Sequence, residues 1–99
     1  LSDDEVYYLL NNDIKRVRDE LNDEYFWFGA LNKTRQDAMI DISFNLGQTR
    51  LRGFKNALAA MEEENFDEAA DEFMNSRWAE QVKSRAPEVT EMIRTGEYP

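Results

Sequence analysis

Ser43-Phe44-Asn45-Leu46-Gly47, followed by Gly53-Phe54, decides how this chain folds. Thr34, Ala38, Met39, Ile42, Ser43 and Leu46 lead through it with a wide face of apolar and small residues. That spacing predicts a helix, and so broad a face predicts one buried at the centre of a small bundle. Asn32 stands where an N-cap belongs. Gly47 follows the last turn, where a left-handed backbone is needed. Leu51, Phe54, Leu58 and Met61 resume helical spacing, with Gly53 expected to divide it into two short pieces.

Upstream, Ser2-Asp3-Asp4-Glu5 reads as a capping box. Val6, Leu10, Ile14, Val17 and Leu21 form one apolar stripe, and no proline or glycine interrupts residues 3–22. A helix of that length runs roughly 30 Å at 1.5 Å per residue. It fits either a helix that joins two lobes or an ordinary amphipathic helix of a bundle. Asn22-Asp23 is the expected stop. Tyr25-Phe26-Trp27-Phe28, closed by Gly29, predicts a turn or short helix that drops rings into the core. A sugar-stacking platform is the alternative, but four consecutive rings point in several directions at once.

Downstream, Glu62-Glu63-Glu64 reads as a solvated exit and Asn65 as the next cap. Phe66, Ala69, Ala70 and Phe73 form the buried side of a short helix whose other side carries Asp67, Glu68, Asp71 and Glu72. Ser76 caps a single turn through Arg77-Trp78. Ser84 precedes the last helix, Pro87 sits near its start, Val89, Met92 and Ile93 anchor it, and Gly96 ends it. Every connection is short. The expected fold is all-α, a compact bundle of about six to seven helices. It forms one domain over residues 1–99, with a long helix over 1–21 and the helical core over 22–99.

Composition sets the boundaries of function. The chain has 99 residues and 41% apolar content, enough for one modest core. It contains no cysteine and no histidine, which removes disulfides, thiolate sites and the commonest general base. No apolar run approaches the roughly 18 residues of a membrane span, and no secretory signal is visible. The chain opens on Leu1, which ordinary methionine removal does not expose, so it is expected to have been cut from something longer. The net charge is −9, with 7 acids and no base over residues 62–75. Phosphate binding wants a basic face, so nucleic acid is not an expected partner. Lys33, Arg35, Arg50, Arg52 and Lys55 make the middle segment a local exception.

The search for chemistry is short. Glycoside hydrolysis needs two carboxylates at a set separation. The acids from Glu62 to Glu72 supply them only if a solvent-facing run is put to catalytic use. A serine or threonine nucleophile has no histidine to activate it. There is no glycine-rich phosphate loop and no calcium loop. The residues therefore describe an acidic helical domain with no catalytic residue of its own, no metal ligand set and no cofactor motif.

The order of motifs adds a resemblance. Ile42 to Gly47, Gly53-Phe54-Lys55-Asn56-Ala57-Leu58, Asn65-Phe66-Asp67-Glu68-Ala69-Ala70, Ser76-Arg77-Trp78, Gln81, Arg85-Ala86 and Arg94-Thr95-Gly96 fall without a gap on one family pattern. From about residue 27 onward the chain resembles the helical C-terminal lobe of T-even phage lysozymes, in glycoside hydrolase family 24. Residues 1–21 fit that family's interlobe helix, with a small deletion around residues 22–26.

The resemblance implies a muramidase that cleaves the bond between N-acetylmuramic acid and N-acetylglucosamine in peptidoglycan. It also implies that the catalytic glutamate, aspartate and threonine lie in an N-terminal lobe absent from this chain. Phe44, Asn45 and Gly47 match the cleft wall where saccharide lies. Ala57 and Glu72 stand where the family uses serine and asparagine for substrate contact, so both depart from the pattern. Arg77 matches an arginine near the cleft mouth. Arg85 matches the arginine that buttresses the catalytic glutamate, with Trp78 packed beneath it and Gln81 alongside.

Two functions follow. The resemblance implies that the chain is the substrate-wall lobe of a bacteriolytic lysozyme, expected to be a monomer inactive alone, made in the host cytoplasm and acting on the cell wall with its missing lobe. The alternative is a non-enzymatic module that reuses the lobe for binding.

Overall fold

The computed structural model describes residues 3–82 and 85–98, with side chains described from residue 14 onward. Helix α1 (Asp3–Glu24) runs one residue beyond Asp23. Of its stripe, Val17 and Leu21 are buried and Ile14 packs against the core. Ser2 and the side chains of Val6 and Leu10 lie outside the described residues. After α1 come a short 3-10 turn (Phe28–Ala30), α2 (Lys33–Leu46), α3 (Gln48–Arg52), α4 (Lys55–Glu62), α5 (Phe66–Met74), α6 (Arg77–Val82) and α7 (Arg85–Thr95). The described residues contain no strand, and the expected all-α bundle is what forms. Its radius of gyration is 13.2 Å, close to the roughly 13 Å of a compact chain this long. The later part of the long first helix packs onto the bundle through Ile14, Val17 and Leu21.

The aromatic cluster divides. Trp27 and Phe28 are buried and Tyr25 packs against the core, but Phe26 is 85% exposed. A tight turn cannot aim four successive rings inward, and Phe26 is the one left in water. Deeper in the core, Phe54 stacks on Phe73 at 5.5 Å between centroids, and Phe73 meets Trp78 edge-on at 6.3 Å.

Helix α2 lies at the centre, with Thr34, Ala38, Met39, Ile40, Ile42 and Ser43 all buried. Asn32 caps it by accepting the Arg35 N–H at 2.9 Å. At its far end Gly47 has φ 81° and ψ 158°, an extended positive-φ conformation open essentially only to glycine. The ordinary left-handed turn is absent because α3 begins at the next residue. Gly53, by contrast, has φ −71°. The break between α3 and α4 lies in Phe54, at φ −85° and ψ 57°. Asn65 departs from its expected role. It precedes α5, but its side chain makes no cap and instead donates to Glu68 at 2.8 Å. The Ser76 hydroxyl accepts from the Ala79 N–H at 3.4 Å and donates to the Phe73 carbonyl at 2.5 Å. The Ser84 cap lies outside the described residues.

Two ties close the bundle. At the α2–α7 end, Asn32 Nδ2 donates to the Gly96 carbonyl at 3.0 Å, and Arg35 Nε and Nη2 donate to the Ile93 and Arg94 carbonyls at 2.7 and 3.2 Å. A helix terminus leaves its last carbonyls unpaired and partly negative, and a cation satisfies both. The guanidinium also lies 3.6 Å above the Phe66 ring centroid, a cation–π contact that brings in α5. At the other end, Arg52 of α3 forks onto Glu24 of α1 at 2.6 and 2.9 Å.

Gly96→Ala tests the first tie. Gly96 has φ 75°, and a Cβ there would lie 2.8 Å from Asn32 Nδ2. Positive-φ strain together with this clash predicts a loss of about 2 kcal/mol, a fall in melting temperature of roughly 10 °C. A shift within error in thermal unfolding would show that the tie yields freely.

Arg52→Gln tests the second. The bond from Arg52 holds the Glu24 carboxyl below the usual carboxylate range. A lowered folded pKa means the contribution is present above the unfolded pKa and is lost as pH falls through the folded value. Carbon-detected carboxyl titration should show Glu24 moving up toward the ordinary range in the variant.

Candidate functional site

Helix α2 from Asp37 onward, Ile14 of α1 and the first turn of α7 meet across a shallow groove of about 520 Å³, lined by Ile14, Asp37, Ile40, Asp41, Phe44, Asn45 and Arg85. Helical spacing puts Asp41 and Asn45 one turn apart on the same face. Asn45 Nδ2 donates to the Asp41 carbonyl and to its Oδ1, both at 2.9 Å. Arg85 reaches in from α7 and pairs with Asp41 Oδ2 at 2.5 Å. Phe44 lies beside them and is 46% exposed. A half-exposed phenylalanine flanked by fixed donors and acceptors combines an apolar face with polar edges, the arrangement of most small-ligand sites.

Asp37, at the far side, accepts from the Tyr98 hydroxyl and pairs with Arg18 at 3.5 Å. The bond to Asp37 favours the neutral phenol and raises the Tyr98 pKa above its ordinary value.

The other residues singled out in the sequence fall into three further hollows. Gly47 lines a depression of about 360 Å³ that adjoins the first through Phe44 and also holds Arg16, Val17 and Glu20. No atom lies within 4 Å of a Cβ built on Gly47, so the backbone there faces open space. Ala57 and Glu72 share a hollow of about 450 Å³ with Lys55, Asn56 and Asn75. Ala57 is 1% exposed, and its methyl offers no hydrogen bond. Arg77, Trp78 and Gln81 line a cavity of about 490 Å³, which shares Gly53, Phe54 and Ser76 with the Ala57 hollow. Trp78 and Arg85 line different hollows, and Trp78 packs against Phe73.

Asp41 and Arg50 escaped the sequence reading as site residues. The spacing of Asp41 and Asn45 was a usable local signal. The pairing of Asp41 with Arg85, 44 residues away, left none. Among the described residues, no group of three or more acids is placed to hold a metal ion, and no helix is long and apolar enough to cross a membrane. The acids of α5 face outward, with Asp67 and Asp71 paired to Arg94.

A model of the family described as phage lysozyme matches residues 1–92. The chain belongs to the phage lysozyme family. Among its relatives is the probable T4-type lysozyme 1 of Dictyostelium discoideum, 36% identical over 66 residues, which span 67% of this chain and 39% of the relative. The probable T4-type lysozyme 2 of the same organism is 32% identical over 69 residues, 70% of this chain and 41% of the relative. The pre-baseplate central spike protein Gp5 of Enterobacteria phage T4 is 34% identical over 67 residues, 68% of this chain and 12% of that protein. The chain thus spans about two-fifths of the lysozyme relatives it matches.

Asp41→Asn checks whether the pair at this groove is a surface arrangement or a structural support. The Arg85 side chain is 58% exposed, and exposed pairs contribute about 0–1 kcal/mol. The variant should keep its unfolding midpoint within a few degrees while the Arg85 side chain gains mobility in nitrogen-15 relaxation. A large stability loss would make the pair structural.

Proposed function

We propose that this chain is the C-terminal, substrate-wall lobe of a lysozyme that hydrolyses the N-acetylmuramic acid to N-acetylglucosamine bond of peptidoglycan. Membership of the phage lysozyme family supports the reaction class. The observation that carries the lobe assignment is the groove itself. It presents Phe44 and Asn45 as an exposed wall, with Arg85 at its edge already held by Asp41.

In this reading Phe44 packs against a sugar face, and Asn45 and the open backbone at Gly47 line the path of the glycan. Glu72 and the Ala57 methyl continue the wall. Arg77, Trp78, Gln81 and Arg85 support it. Sugar hydroxyls and amides need such alternating apolar and polar contacts, because unpaired polar groups are penalised when covered. The site of action is the cell wall.

The lobe is inactive alone. Glycoside hydrolysis needs a protonated carboxylic acid beside the leaving oxygen and a second carboxylate across the sugar. The two carboxylates at the groove are already engaged, Asp41 by Arg85 and Asp37 by Tyr98 and Arg18. Loss of a general acid alone forfeits about 10²–10⁴ in rate. The acid comes from a catalytic lobe that docks across the groove.

A peptidoglycan-clearing assay tests this. The chain alone should not clear a cell-wall suspension, and addition of a separately made family catalytic lobe should restore clearing. Clearing by the chain alone would overturn the reading. Failure to clear with the added lobe, together with retained saccharide binding, would favour a non-enzymatic binding module.

A further inference from the structure

In so acidic a chain, nearly every arginine finds a partner. Arg18 pairs with Asp37, Arg52 with Glu24, Arg85 with Asp41, and Arg94 with Asp67, Asp71 and Glu91. Arg35 is spent on helix-end carbonyls, and Arg16 is also engaged. Among the described arginines, the side chains of Arg50 and Arg77 alone have neither a hydrogen bond nor an ion pair, and both line the same cavity of about 490 Å³.

The rest of the cavity is complementary. Phe54 and Trp78 supply apolar walls, and Gln81 adds an amide. The Trp78 side chain is 2% exposed, so it is a fixed floor. Its indole N–H is covered from water and has no acceptor. A guanidinium presents a planar fork of donors that matches a carboxylate with two parallel bonds. Two guanidinium groups and aromatic walls lining one cavity suit a small anion with an apolar body.

We propose that the cavity bounded by Arg50 of α3, Arg77 and Trp78 of α6, and Phe54 is a binding site for a small ligand that carries a carboxylate next to an apolar group. The two arginines hold the carboxylate, and Phe54 and Trp78 take the apolar part. Arg77, Trp78 and Gln81 are shared with the proposed saccharide wall and Arg50 is not, and a titration with small carboxylates reads the cavity without any saccharide.

The chain's two tryptophans make the test direct. Trp27 does not line this cavity, so its indole signal serves as an internal control. Nitrogen-15-labelled chain is titrated with N-acetylleucine, its neutral amide and inorganic phosphate, and the two indole N–H signals are followed. N-acetylleucine should move the Trp78 signal saturably and leave Trp27 in place. The amide should bind at least about tenfold more weakly, and so should N-acetylleucine to the double variant R50Q/R77Q, since each lost charge-assisted fork is a large share of a small ligand's affinity. Both arginines are exposed, and an unmoved Trp27 signal in the variant verifies its fold. Equal response to the amide, a response that survives in the variant, or no movement of Trp78 would overturn the proposal. Tighter binding of phosphate than of N-acetylleucine would overturn the carboxylate assignment.

Discussion

The guanidinium of Arg35 holds the bundle at the point where its helices have most to lose. It lies near the start of α2, covers the last carbonyls of α7, and stacks on Phe66 at the start of α5. One side chain thus joins segments 58 residues apart. The cation neutralises the negative end of α7, satisfies two carbonyls and covers a ring. Asn32 completes the junction from the other direction, since it caps α2 with its oxygen and reaches Gly96 with its amide nitrogen. A residue with a side chain at Gly96 would stand in that space.

This junction sets the direction of the two central helices. The start of α2 meets the end of α7, and further along Asp41 of α2 meets Arg85 at the start of α7. The helices are therefore antiparallel and tied at two places along their length. The groove of Phe44 and Asn45 lies beside the second tie. A ligand there meets a wall fixed by helix packing, and rigid elements place side chains more accurately than loops do. Gly47 then ends α2 abruptly and leaves backbone open to the same surface.

Much of this was legible from residues. The helical periods, the Asn32 cap, the helix ends at Leu46 and Thr95, and the buried Phe73 all follow from local spacing and local backbone preference. What escaped depends on distant partners. Asn65 resembles a cap, but Glu68 one turn on competes for its amide. Nothing local marks Arg35 as the residue that finds Ile93, or Asp41 as the one that finds Arg85. Phe26 was misjudged for a different reason: pattern reading treats adjacent aromatics alike, whereas a turn must put one of them outside.

Charge is the last piece, and it acts at two ranges. A net charge of −9 disfavours the approach of any anionic ligand over long distances. That penalty is screened beyond about 10 Å in ordinary salt, and the acids are unevenly placed. Glu62, Glu63, Glu64, Asp67, Glu68 and Asp71 all face solvent on α4, α5 and the link between them. The groove sets Asp37 and Asp41 beside Arg85, and the Ala57 hollow sets Glu72 beside Lys55, whereas the cavity of Arg50 and Arg77 is lined by no acid. A ligand that has arrived in that cavity therefore meets a local field opposite in sign to that of the whole chain. The neutralised arginines hold helices together, and the unpaired ones line a cavity. The same side-chain chemistry is thus divided between architecture and recognition by whether a carboxylate or carbonyl lies within reach.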